Sequence, residues 1–379
     1  MIRPTWVLLL LTLALSGETL GQSPYAPSIY TPPAEPTYAY PPPGQTEWTT
    51  PRPWDESPSV DQVPEIVSPE ERPAEKNRPG RRGSGSPFGG SAGPGYGVEW
   101  FPAQPVQGQG VDFQIFEQDA SAGMPIYRGD YGTAVLTAGV KNTHYFTDAV
   151  LPDTGRAFPD DLWDVKFGLT YIRKFDSGSS LGIISSVGSA SDQPFQSGDE
   201  INLNLISFWR RPARNERDAW MLGVMYSPTG SLNFPVPIIA YEWNHSEAFQ
   251  MNLGIPFSMT WRPQEAWTLV ATYVPLTNGS VILTHDLTER WHLYGGYRSV
   301  AQSYFLSDRV NKDDRFFALQ QRLVTGIRWD VGDFGALDLS TGYAFDRRYG
   351  EGENQGSTLH DEVQVEPGAF IGLDFRLMF

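Results

Sequence analysis

The chain has no cysteine in 379 residues, which excludes a disulfide framework, a thiolate metal site and a lipid anchor attached through cysteine. It is short of positive charge, with 28 Lys and Arg against 44 Asp and Glu, the wrong balance for a nucleic-acid partner. Long apolar runs are also missing. The run Val7 to Leu15 follows Met1-Ile2-Arg3 and leads into Ser16 and Gly17. It is far shorter than the roughly 20 residues a helix needs to cross a bilayer, and it reads as the core of a secretory signal peptide over residues 1–21. Cleavage fits after Ser16 or near Gly21 and Gln22. No later run reaches helical membrane length, so any membrane residence must be by strands.

Proline is concentrated in one place. Seventeen of the 32 prolines fall between Gln22 and Tyr96, and a glycine-rich tract from Gly80 to Gly97 closes that stretch. Such a composition buries too little apolar surface to offset its ordering entropy, so residues 22–96 read as a disordered Pro/Gly-rich tether on the periplasmic side. Its basic cluster Lys76, Arg78, Arg81 and Arg82 could touch anionic cell-wall polymer, although a solvated charge run is the simpler reading.

From Val98 on, helical periodicity gives way to period-two alternation broken by turn-rich stretches. Leu162 to Phe175 shows it clearly, with Trp163, Val165, Phe167, Leu169 and Tyr171 on one face and Asp164, Lys166, Gly168 and Thr170 on the other. Strands are expected at about 131–146, 162–175, 181–190, 199–210, 219–227, 236–244, 248–255, 257–262, 266–274, 280–286, 290–298, 315–330, 335–346 and 363–379. That makes fourteen, with twelve as the alternative. The weak point is the break at Pro256, placed there because proline cannot donate to a closed ladder. The segment 111–117, with Val111, Phe113 and Ile115 alternating, is read as a plug or lead-in. With an even count, long and short connections fall at opposite ends, and Trp209, Trp220, Trp243, Trp261, Trp267, Trp291 and Trp329 all lie beside short ones. Seven tryptophans at one end form the pattern of a periplasmic aromatic girdle.

The last strand, Ala369 to Phe379, alternates to the terminus itself, with Leu373, Phe375, Leu377 and Phe379 on its apolar face. This resembles the closing strand of bacterial outer-membrane β-barrels, in which a terminal alternating strand ending in an aromatic residue is the sorting signal. The resemblance implies an all-β antiparallel transmembrane barrel over residues 97–379, with outer-membrane lipid and the barrel assembly machinery as partners. The residues alone argue for closure as well, because the second face of the strands is too polar for a dry core. Asp164, Lys166, Lys174, Glu242, Arg322, Arg328, Asp338, Asp374 and Arg376 are assigned to a hydrated lumen.

Catalytic chemistry finds no constellation. Asn244-His245-Ser246-Glu247 has hydrolase residue types, but neighbours in a tight turn cannot converge as a triad. His285 with Asp286, and His360 with Asp361 and Glu362, lack a placed nucleophile. The acidic residues Asp308, Asp313, Asp314, Glu351, Glu353, Asp361 and Glu362 could bridge to lipopolysaccharide through divalent cations, with solvated charge as the default. No cofactor or resident metal is expected, and no enzyme activity. The function expected is a passive pore or transporter for small solutes; the alternative is a structural, tethering outer-membrane protein with a Pro-rich arm. Residues from 97 on carry 21 basic against 34 acidic side chains, so an open path lined by that surplus would favour cations.

Overall fold

The computed structural model describes residues 93–215, 217–227, 235–274, 278–354 and 358–377. The expected signal peptide, the tether as far as residue 92 with its basic cluster, and Phe379 lie outside the described residues.

Among the described residues seventeen strands follow in chain order: β1 Gly95–Pro105, β2 Asp112–Gly129, β3 Gly132–Thr147, β4 Asp161–Lys174, β5 Ser180–Ser191, β6 Ile201–Pro212, β7 Ala219–Tyr226, β8 Val236–Ser246 and β9 Phe249–Gly254. The rest are β10 Phe257–Gln264, β11 Trp267–Val274, β12 Asn278–Asp286, β13 Trp291–Tyr304, β14 Arg315–Val331, β15 Gly335–Gly352, β16 His360–Val365 and β17 Gly368–Leu377. Each pairs antiparallel with its neighbour, and the ring closes because β1 pairs with both β2 and β17. Strands β16 and β17 share β15, with β17 on Gly335–Ala344 and β16 on Arg347–Glu351. Between those stretches Asp346 turns to φ 48° opposite Glu366-Pro367. They are two halves of one stave, so the barrel has sixteen staves.

The expected fourteen strands are therefore two too few. The missing staves are β1 and β2, and the segment 111–117 read as a plug belongs to the wall. For β2 the reason lies in which way its apolar residues point. Phe113 and Ile115 of β2 face inward and are fully buried, whereas on most other strands the apolar parity faces out; β1 keeps that outward sense in Tyr96, Val98 and Trp100, with Phe101 buried inside. Pro102, Pro105 and Pro125 further disguise the two strands. The barrel also begins at Gly95, two residues inside the stretch read as tether. The break at Pro256 stands where it was expected, with β9 and β10 paired antiparallel on either side and Met251 opposite Met259.

Closure satisfies the ladder bonds of every stave without an edge, as a wall in contact with lipid requires. Phe167, Leu203, Leu222, Ile239, Leu323 and Ile371 stand exposed on the outer face. The connection after β4 spans residues 175–179 and that after β14 spans 332–334, whereas those after β3 and β13 span 148–160 and 305–314. The chain enters and leaves at the short-turn end, where the Leu377 amide donates to Pro94 O at 2.8 Å. All seven tryptophans named above lie near that end. Trp209 and Trp220 are the most exposed of them, at 58% and 50%, and Trp291 and Trp329 stack at 5.5 Å.

Candidate functional site

The inner face is traced by register from stave to stave. Phe101 opposes Ile115, Glu99 opposes Glu117, and Gly97 lies between Asp119 and Asp374; Asp374 opposes Asp338, which opposes Arg328. Asp164 and Lys166 share this face with the buried Leu162, and Glu242 shares it with Ile238 and Ala240. Lys174, Arg322 and Arg376 lie on the same parity of β4, β14 and β17. The nine charged positions assigned to the lumen thus share the face that carries the buried side chains.

Much of that face is dry. The long connection 148–160 folds into the mouth and seats Phe158 among Phe113, Tyr145, Phe316 and Tyr349, with ring centroids 5.0 to 5.7 Å apart. Leu151, Leu162, Phe101 and Phe370 extend this cluster. Beneath it lies a buried ionic layer. Arg322 donates to Glu99 at 2.6 Å and lies 3.5 Å from Glu117, while Lys141 reaches Glu117 at 2.8 Å. The Arg322 guanidinium also sits over the rings of Phe101 and Phe370, at 4.9 and 5.5 Å. Lower still, Tyr294 donates to Asp338 at 2.6 Å, and a side chain at Gly97 would meet the carboxylates of both Asp119 and Asp374.

The same connection is pinned from above. Asp361, held at φ 53°, accepts from the amides of Asp153 and Thr154 at 2.7 and 2.8 Å and from the Thr154 hydroxyl at 2.8 Å. Arg156 donates to Glu351 at 2.5 Å and to Asp308 at 3.1 Å, with Asp361 at 3.6 Å. Burial acts to lower its basicity, but the Glu351 bond and the three carboxylates outweigh this, so Arg156 is held above the ordinary arginine range. Glu351 and Asp361 are buried, and Asp314 takes His360 at 3.3 Å. These acids, read as solvated, instead lock the mouth.

A second tie crosses the barrel. Ser191, the last residue of β5, pairs in parallel with Phe305, which follows β13. The Asp192 carboxylate takes the Ser307 amide at 2.9 Å and its hydroxyl at 2.6 Å. Going round the sixteen staves, β5 and β13 are eight apart in either direction, so this strap spans the diameter. It divides the lumen. On the β14 to β4 side, cluster and ion pairs fill the end toward the long connections, while Asp119, Thr137 and Lys166, nearer the short turns, are exposed. On the β5 to β12 side, Ser258, Thr260, Val270, Thr272, Ser280 and Thr284 point inward yet are only half-buried, which requires a water-accessible space inside the barrel.

The histidines assemble no reaction centre among the described residues. His285 stacks on Trp267 at 4.3 Å, His245 packs beside Trp243, and His292 bridges Asp286 and Asp330 at 2.7 and 3.3 Å. Glu99, Glu117, Asp119, Lys141, Arg156 and Phe158 went unmarked at the level of sequence. One signal was present, since a single face of β2 reads Phe113, Ile115, Glu117, Asp119, apolar at one end and acidic at the other.

A closed antiparallel barrel with a lipid-compatible exterior and an even stave count is the architecture of a bacterial outer-membrane β-barrel protein. No protein-family model and no curated protein matches the sequence. Among solved structures, an outer membrane channel from Pseudomonas putida F1 is similar at 9% identity and a TM-score of 0.35, covering 78% of this chain and 100% of that one. The beta domain of the Bordetella autotransporter BrkA is similar at 10% identity and a TM-score of 0.30, covering 76% of this chain and 99% of the other. Likeness at this level carries no functional information.

Proposed function

We propose that the chain is a passive outer-membrane pore for small solutes, with its path along the β5 to β12 side of the lumen. The observation that carries this reading is the uneven filling of the interior: inward side chains of β10, β11 and β12 are open to water along their length, while on β2 to β4 only the end toward the long connections is buried in the aromatic cluster and its ion pairs. A purely structural barrel has no need of a hydrated half. In this account outer-membrane lipid meets the apolar exterior, the assembly machinery reads the terminal strand, and the residues preceding Gly95 enter from the periplasm, a side that protease added to intact cells does not reach. Asp313 and Glu353 stand exposed at the far end for cation-bridged lipopolysaccharide.

The strap and the Arg156 lock favour a second reading, in which the barrel is a closed anchor for the Pro-rich arm. Planar-bilayer recording separates the two. Folded protein should give discrete conductance steps, and persistent silence would move the assignment to the anchor.

A further inference from the structure

We infer that this pore carries small uncharged solutes and discriminates little between cations and anions; the inference rests on the pore reading above. The acidic surplus of the barrel would favour cations only if it faced the open path. It does not: the strands carry fifteen acidic and fifteen basic residues, so the surplus sits in the connections, and most acids of the lumen stand in the other half. Glu99, Glu117, Asp119, Asp338 and Asp374 stand on β1, β2, β15 and β17, where Arg322, Lys141 and Tyr294 engage three of them.

The open half is built differently. Within strands β5 to β12 the inward positions above the short-turn rim carry no Asp, Glu, Lys or Arg; at the opposite end Glu200, directly before β6, is buried. At the rim itself Arg210 pairs with Glu242 at 2.6 Å, and Arg262 and Asp286 stand nearby. On the bordering staves, Asp164 and Lys166 neutralise each other at 3.2 Å, and β13 contributes Arg298. One wall of the space presents Ile206, Phe208 and Met225, which pack against buried Met221 and Ile238. The adjoining wall presents the hydroxyls of Ser258, Thr260, Thr272 and Ser280, and the last two bond to each other at 2.8 Å.

Along β5 to β12, between the rim and Glu200, a dehydrating ion finds no charge or array of carbonyls to replace its water. A neutral molecule with one apolar side and a few hydroxyl or amide groups finds both partners. The substrate class is accordingly small, uncharged and amphipathic.

The test is the reversal potential of the reconstituted full-length protein in a potassium chloride gradient, with each variant first shown to be folded by its heat-dependent gel mobility. The wild-type potassium-to-chloride permeability ratio should lie within about threefold of unity, as for a lining without fixed charge. Thr260→Glu should raise the ratio several-fold and Thr272→Lys should lower it, so the two variants act as independent checks of opposite sign. Asp374→Asn should leave it unchanged. In liposome swelling, glycerol and erythritol should enter several-fold faster than glycerate. A cation-selective wild type that loses its selectivity in Asp374→Asn and ignores Thr260→Glu would overturn the inference and leave the pore intact. Absence of conductance and swelling from folded protein would overturn both.

Discussion

Removing Phe375 to Phe379 should keep the protein out of the outer membrane altogether. Phe375, Arg376 and Leu377 are paired on one side with Leu337, Ala336 and Gly335 of β15; on the other, Phe375 and Arg376 pair with Tyr96 and Gly95 of β1. Their loss opens two backbone edges where the wall meets lipid, and each unsatisfied amide or carbonyl there costs several kcal/mol. Phe375 also contributes to the apolar parity of the terminal strand, the feature by which the chain resembles barrels sorted by their last strand. Both effects point the same way. After cell fractionation the truncated chain should be aggregated in the periplasm or degraded; outer-membrane amounts equal to those of the full chain would show that neither pairing nor recognition depends on this segment.

Arg322→Ala should be the most destabilising single substitution inside the lumen. The guanidinium lies between Glu99 and Glu117 with its side chain 6% exposed, and it caps the rings of Phe101 and Phe370. Truncation strands buried carboxylate charge with Lys141 as the remaining cation on Glu117. Breaking a buried pair in this way typically costs about 3–5 kcal/mol, much of it the desolvated charge left behind. Removing the whole group costs less, so Arg322→Met combined with Glu99→Gln and Glu117→Gln should recover most of the loss. The readout is the urea midpoint of protein folded into detergent micelles. An Arg322→Ala midpoint equal to wild type would mean that water already reaches these charges and that this half of the lumen is not dry.

How far the fold could be read from the chain follows from which way each strand shows its grease. Fourteen strands were legible because their outward residues alternate locally, as Trp163, Phe167 and Leu169 do on β4, and a period of two needs no knowledge of distant partners. In β2 the same period is present with the sense reversed, since Phe113 and Ile115 face inward in the cluster that holds Phe158 and Tyr349; β1 keeps the outward sense in Tyr96 and Trp100, but Pro102 and Pro105 interrupt it. Nothing local tells an inward apolar face from an outward one. The mouth was illegible for a related reason. Asp361 caps Asp153 and Thr154 from more than two hundred residues away, and Arg156 meets Glu351 across a similar gap. Read separately, these residues are solvated loop charges. Only closure of the ring brings β3 and β15 close enough for one connection to bond to both ends of the chain.

Everything above depends on the wall being a closed ladder in lipid, and electrophoretic mobility of membrane-extracted protein tests this most directly. A closed barrel resists dodecyl sulfate until heated, because its backbone bonds open only together. Unboiled protein should migrate faster than boiled protein, as a compact band that collapses to the full-length position on heating. Identical mobility of the two samples, for protein recovered from the outer-membrane fraction, would contradict the barrel and with it the lumen, the strap and the pore.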